Sequence, residues 1–390
     1  LPQQLFPQGI QTIVQRRLAR VPQSALPLLV GTAVAGRQLD LKLTQQLAHK
    51  TNTFLPLETW LATCAEAAVL ELFNGTWRFA HDKLRAGILD AITLSQETGW
   101  HQTIAELIEQ VYPDEPEQAA ALTFHWQKAG NTAKERQFAR IAGEHAQRQF
   151  LNEAALDYFN RALALTPADD LPEQFELHLA RERIFHLQGQ RDNQLAALAN
   201  LEQLAVNLAE QHTQERRAEV SLRLAIYAEA TGDYPTALDA ANRALQLAQA
   251  NHEPENEAGC YLIAGRTLHR QSKYEEAQNN FQTCLQAARR HGFTSLEADS
   301  LRALGALSFD VGNLEKAMQH YEQSLPLYEK ANNKQGESTV YNNLSIVAFS
   351  QGNIEQSLMA LEKAQQIDEA IGDREGRARG GAHPRRGRAR

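Results

Sequence analysis

His81-Asp82 is the pair in this chain best suited to chemistry. It lies in WRFAHDKLR, residues 77–85, where an aromatic, alternating stretch gives way to a helical pattern. A histidine aimed from a strand end could serve a catalytic dyad, a metal or a phosphate. An aspartate at a helix start can cap the first free backbone N–H groups. A dyad also needs a nucleophile, yet neither GxSxG nor HExxH occurs, and the thirteen histidines are scattered without ligand spacing. GTAVAGRQ (31–38) has the two glycines of a phosphate loop, but Arg37-Gln38 stand where Lys and Ser/Thr would hold phosphate and Mg²⁺. The chain therefore reads as non-enzymatic, with no catalytic residue, no metal site and no cofactor of its own.

The elements that position His81 are short. Ile10, Ile13, Val14 and Leu18 form one apolar stripe, Pro22 and Ser24 mark the next helix start, and Asp40 caps a third helix. LETWLATCAEAAVL continues the helical pattern, and Asn74-Gly75 between ELF and WRF marks a tight hairpin. A small helical bundle ending in one β-hairpin is a winged-helix plan, assigned to 1–94. A helical connector with degenerate hairpins is expected over 95–166, up to the linker TPADDLP.

Beyond it lies a forty-residue period. Stretches from Ala228, Leu268, Ser308 and Ala348 align, with turns at Gly232-Asp233, Ser272-Lys273, Gly312-Asn313 and Gly352-Asn353. Before each turn one position is small: Ala225, Gly265, Gly305, Ser345. After each turn another is small: Ala237, Ala277, Ala317, Ser357. A third small column follows at Ala244, Cys284, Ser324 and Ala364, and a mostly bulky one stands at Ala241, Phe281, Tyr321 and Leu361. Small residues let helix backbones approach, and the bulky column fills the groove beside them. An earlier, degenerate pair spans Leu171 to Gln211, with its turn at Gly189, and FLNEAALDYFNRALAL aligns with the array at an offset of 82. The fold class is thus mainly α, with one hairpin, continuing as an α-α superhelical solenoid over 171–371.

Composition bounds the rest. The net charge is −8, but residues 374–390 hold seven Arg and one Glu, leaving 32 basic against 46 acidic groups on the other residues. An acidic body argues against phosphate-backbone binding. Residues 1–100 carry nine Lys/Arg against seven Asp/Glu, with no basic recognition helix, so nucleic acid is disfavoured as a partner. Glycines and a proline end the solenoid pattern in the tail, which reads as a disordered segment or a truncated frame. No apolar run reaches the roughly 20 residues of a membrane span. Cys64, Cys260 and Cys284 form no paired set and read as packing residues in a reducing cytoplasm. The first residue is Leu, so a piece of a longer protein is expected.

The repeat columns resemble the tetratricopeptide repeat, a helical hairpin with small-residue contacts and a Gly-Asx turn. That resemblance implies a protein or peptide in the solenoid groove, or alternatively a scaffold or self-association arm. The run IVQRRLARVP…LLVGTAVAGRQLDL…WRFAHDKLRAGIL resembles the segment following the nucleotide-binding core in bacterial STAND signalling ATPases, relatives of MalT-type and NB-ARC proteins. In NB-ARC relatives a Met-His-Asp motif occupies this seam, and its His contacts the phosphates of ADP. Ala80 replaces Met here, while His81 and Asp82 match. The resemblance implies a nucleotide-sensing role for both, with ATP or ADP bound only together with an upstream domain. The expected function is a non-catalytic regulatory and protein-interaction part of a signalling ATPase. The alternatives are a stand-alone repeat adaptor and, more weakly, a DNA-binding regulator.

Overall fold

The computed structural model describes residues 14–53, 55–208 and 210–371. Ile10 and Ile13 of the first stripe, and the 374–390 tail, lie outside them. The chain divides between Thr166 and Pro167 into two compact units.

In the first unit, α1 (Leu26–Ala35), α2 (Leu41–Lys50) and α3 (Leu57–Glu66) precede a hairpin of β1 (Leu70–Phe73) and β2 (Thr76–Phe79). Asn74 and Gly75 both take positive φ, 47° and 78°, as the two central residues of a tight hairpin turn must. Residues 37–39 lie along the other edge of β2: Leu39 N–H donates to the Trp77 carbonyl at 2.8 Å, and Phe79 N–H to that of Arg37 at 3.0 Å. Asp40 caps α2 as expected, its side chain accepting from Leu43 N–H at 3.0 Å. Helices α4 (Asp82–Leu89), α5 (Leu94–Val111), α6 (Ala119–Lys128), α7 (Thr132–Arg148) and α8 (Asn152–Leu165) complete the unit. Its apolar core runs from Val21 to Phe138 around the fully buried Trp60. That core crosses residue 94, so the segments expected at 1–94 and 95–166 share it.

The second unit contains five hairpins among the described residues: α9 (Leu171–Leu187) with α10 (Arg191–Asn207), α11 (Glu210–Thr231) with α12 (Tyr234–Ala250), and α13 (Pro254–Arg270) with α14 (Tyr274–His291). Then follow α15 (Thr294–Asp310) with α16 (Leu314–Lys330), and α17 (Lys334–Ser350) with α18 (Ile354–Ile371). From α11 onward, first helices of successive hairpins touch one another, while second helices lie mainly against first helices. The first helices therefore form the inner layer of the stack.

Each hairpin closes through a left-handed residue, at Gly189, Gly232, Ser272, Gly312 and Gly352. Ser272 does so with a side chain, at φ 61°, and Lys273 after it offers no cap. At the equivalent position Asp233 and Asn313 accept from Thr236 N–H and Lys316 N–H at 3.2 and 3.1 Å. Replacing Ser272-Lys273 by Gly-Asp should therefore stabilise the chain by about 1–2 kcal/mol, from left-handed strain relieved and a cap gained. A rise in the urea midpoint checks it.

Candidate functional site

His81 sits where β2 ends. Ala80 N–H still pairs with the Val69 carbonyl at 3.0 Å, and the next residue turns into α4. The helix cap belongs to His81, correcting the assignment of that role to Asp82: the His81 Nδ1 accepts from Lys83 N–H at 3.1 Å. The backbone is extended at His81 and helical from Asp82, so only the His81 side chain can reach back over the first free N–H groups. An accepting Nδ1 puts the proton of a neutral ring on Nε2. His81 is exposed, so that Nε2–H is a donor open to solvent. Asp82, also exposed, pairs with Arg37 Nε at 3.2 Å, while Arg85 Nε ties α4 to the Ala33 carbonyl at 2.7 Å. The glycine pattern of 31–38 lies largely inside α1, where Gly31 packs against Trp100, so it forms no phosphate loop.

A second histidine arrangement gave no signal in sequence. His101 on α5 and His125 on α6 are buried with Nδ1···Nδ1 at 2.8 Å, so one ring donates and the other accepts. Burial, then the His101 and Arg85 charges, push His125 down to about 4. Burial also lowers His101, against the pull of Glu97. A histidine whose pKa is depressed by folding takes its proton first in the unfolded chain. Its stability contribution is thus whole above the ordinary value of 6.5 and fades as pH falls toward about 4. At about pH 5 His125 alone costs roughly 2 kcal/mol. Urea midpoints should drop between about pH 7 and pH 5, and equal midpoints would contradict the pairing.

The eight repeat positions are all buried. A Cβ on Gly265 would fall 2.6 Å from the Phe281 ring, and one on Gly305 2.6 Å from the Tyr321 ring. Ser345 and Ser357 bond to each other at 3.1 Å. Twelve residues separate the two small columns and sixteen the first from the bulky one. The same spacing recurs at Gly143, Ala155 and Phe159, where the Cβ test gives 2.7 Å to the ring, so α7–α8 is a hairpin of this build.

In α9–α10 the spacing lands on Glu182, Gln194 and Leu198. Glu182 and Gln194 are 0% exposed. Gln194 Nε2 donates to Glu182 Oε1 at 2.7 Å, and Arg223 Nε on α11 donates to Glu182 Oε2 at 2.5 Å. His186 Nδ1 accepts from Gln194 and from Arg191, both at 3.3 Å. Glu229 on α11 accepts from Arg266 on α13 at 2.6 Å, with Arg270 at 3.8 Å. A cavity of about 600 Å³ opens beside this chain of charges, lined in part by His186, Arg191, Glu229, Arg266, Arg270 and Gln335. No asparagine ladder accompanies it: Asn342 has a buried Oδ1 without a partner, and its counterpart Arg302 bonds Tyr328 OH at 2.9 Å.

Among the described residues no group of three or more His, Cys, Asp or Glu is placed to hold a metal, and no helix is long and apolar enough to cross a membrane. The three cysteines are buried and unpaired, and burial pushes the Cys64 thiol up to about 12.

Residues 216–290 and 293–379 match the tetratricopeptide repeat model, and the consecutive helix pairs of the second unit form a solenoid like that of such repeats. Curated protein sequences give no match. Among solved structures the chain is similar to a Rap protein complexed with Competence and Sporulation Factor, at 14% identity and TM-score 0.55, over 73% of this chain and 80% of that one. It is similar to the apo form of the quorum sensor NprR from B. thuringiensis, at 15% and 0.51, over 84% and 88%. A STAND protein with a tetratricopeptide repeat sensor from Pyrococcus horikoshii aligns at 14% and 0.47, over 97% of this chain and 61% of that one. These likenesses are of fold.

Proposed function

We propose that the solenoid binds a peptide or an extended protein segment along its inner layer of first helices. The carrying observation is the polar cavity lined from α9, α11 and α13 of that layer, with Arg191 of α10, Tyr234 of α12 and Gln335 of α17 completing it. Other hairpins close on small residues, whereas this region holds a buried charged network that packing alone does not require. Two solved structures of similar fold are Rap proteins complexed with Competence and Sporulation Factor and with the Phr* peptide, which supports a peptide occupant. The test is selection from a random-peptide display library on the purified chain. Binders that compete with one another for a single saturable site support the reading. Failure to select any binder above a heat-unfolded control sinks it.

The chain is further proposed to be the regulatory part of a STAND-type signalling ATPase, with 1–94 as a winged-helix module, 95–166 as a connector and 171–371 as the sensor. The order α1, residues 37–39, α2, α3, β1, β2 supports the winged-helix reading, in which His81 presents an open Nε2–H donor. In that role His81 donates to a nucleotide phosphate, and Asp82 holds the local geometry through Arg37. Calorimetry of ADP binding by the full gene product should show His81→Ala weakening it by roughly tenfold or more, the scale of one charge-assisted contact. Equal affinity would leave the stand-alone adaptor.

A further inference from the structure

We infer that the cavity beside Glu229 is an anion subsite, and that the peptide the solenoid takes presents a carboxylate there. The inference rests on the groove reading above and specifies its ligand.

The first argument is charge. Three guanidiniums, Arg191, Arg266 and Arg270, reach the cavity wall, and Glu229 is the one acid among its lining residues. Arg223 approaches behind them, engaged to Glu182, and its Nη2 is buried without a partner. Glu182 and Glu229 together neutralise two of these four cations, so the region holds an excess of two positive charges in a chain whose net charge is −8. Such an excess in a recess with low-dielectric walls concentrates positive potential on the enclosed space.

The second argument is geometry. Arg266 is held in place through its contact with Glu229 at 2.6 Å, and Arg191 through Gln194 at 2.6 Å. Both are therefore pre-positioned donors, as bidentate recognition of a carboxylate needs. Arg270 is 67% exposed, lies 3.8 Å from Glu229, and is free to swing onto a ligand. Gln335, arriving from α17, adds an amide to the lining. The space of about 600 Å³ exceeds a carboxylate and admits a peptide side chain with its backbone.

The third argument is the neutral histidine. His186 accepts on Nδ1 from Arg191, and burial, followed by the Arg223, Arg191 and Arg266 charges, keeps it uncharged. His186 thus adds an acceptor that orients Arg191 at the wall.

The experiment compares display selections on the wild-type chain and two variants. Arg270→Glu changes an exposed side chain and reverses one charge. Glu229→Gln keeps the shape at the wall, removes the competing internal carboxylate and raises the local excess by one. Wild-type binders should be enriched in Asp and Glu over the unselected library. Their affinity should fall about tenfold or more in Arg270→Glu and rise several-fold in Glu229→Gln, the opposite signs excluding general loss of folding. Binders without acidic enrichment, or with affinities alike in all three chains, would overturn the subsite and leave the groove reading standing. No binders at all would remove both. Added sodium phosphate at matched ionic strength distinguishes the source of the anion. Competition that spares the neutral flanks of the peptide supports a subsite for its carboxylate. Phosphate binding at full affinity with no peptide selected would overturn the peptide assignment.

Discussion

Gly265→Ala is expected to destabilise the chain by about 1–3 kcal/mol, although alanine is the better helix former by about 1 kcal/mol. The added Cβ would lie 2.6 and 2.7 Å from two atoms of the Phe281 ring and 3.2 Å from Asn280 Cβ. Phe281 is fully buried, so the ring cannot leave without opening the hairpin. Phe281→Ala should cost about 3–5 kcal/mol through the cavity it leaves. The double variant is the informative one. It recreates the Ala225 and Ala241 pairing with which the preceding hairpin already closes. Its loss should fall short of the sum of the singles by more than about 1 kcal/mol, because each change occupies or vacates the same space. Urea unfolding of the four chains measures that coupling. Additivity within about 0.5 kcal/mol would mean that the glycine column has another cause.

The same columns explain what was legible in the sequence. The positions 225, 265, 305 and 345 obey one steric rule, a first helix thinned where a second helix packs against it, with a ring as the facing group at 265 and 305, and a steric rule leaves a residue-type signature. The turns obey another, a left-handed residue that favours glycine, and only Ser272 departs from it. Glu182 and Gln194 were hidden because they break the first rule: in composition they read as surface residues, and only the spacing of twelve exposes them. The cap at the His81 seam is ambiguous in sequence for a related reason. Either residue of His-Asp can accept from the first free N–H groups, and the choice depends on which residue takes the first helical φ/ψ, a tertiary detail set by the β2 exit. His101 and His125 lie twenty-four residues apart on different helices, and no local pattern joins them. The short pairing of 37–39 with β2 involves too few residues to produce an alternating run. In each case the missed feature is a contact between elements, which residue type alone does not encode.

Glu182→Ala is expected to damage the solenoid as much as the loss of the Phe281 ring does. It would strand Arg223, whose side chain is 15% exposed and whose Nε contact at 2.5 Å is to Glu182, and it would leave Gln194 Nε2 with only the long contact to His186. Removing one member of a buried pair costs about 3–5 kcal/mol, because the remaining charge stays buried without compensation. Replacing the whole network has the opposite expectation. Glu182→Gly with Gln194→Ala restores the small pair of the other hairpins, and Arg223→Ile supplies the residue that the next repeat carries at Ile263. The triple variant should match or exceed the wild-type chain in stability, since apolar replacements of buried ionic groups are commonly neutral or stabilising by about 1–4 kcal/mol. A single variant that unfolds and a triple variant that does not would establish that the network is dispensable for folding. Its presence in one hairpin then needs another reason, and the adjoining arginine-lined cavity supplies one: the triple variant should keep its fold and lose affinity for acidic peptides, because Gln194→Ala frees Arg191 from the contact at 2.6 Å that positions it, although the local charge excess is unchanged. A triple variant as unstable as Glu182→Ala would instead make the network a structural strut between α9, α10 and α11.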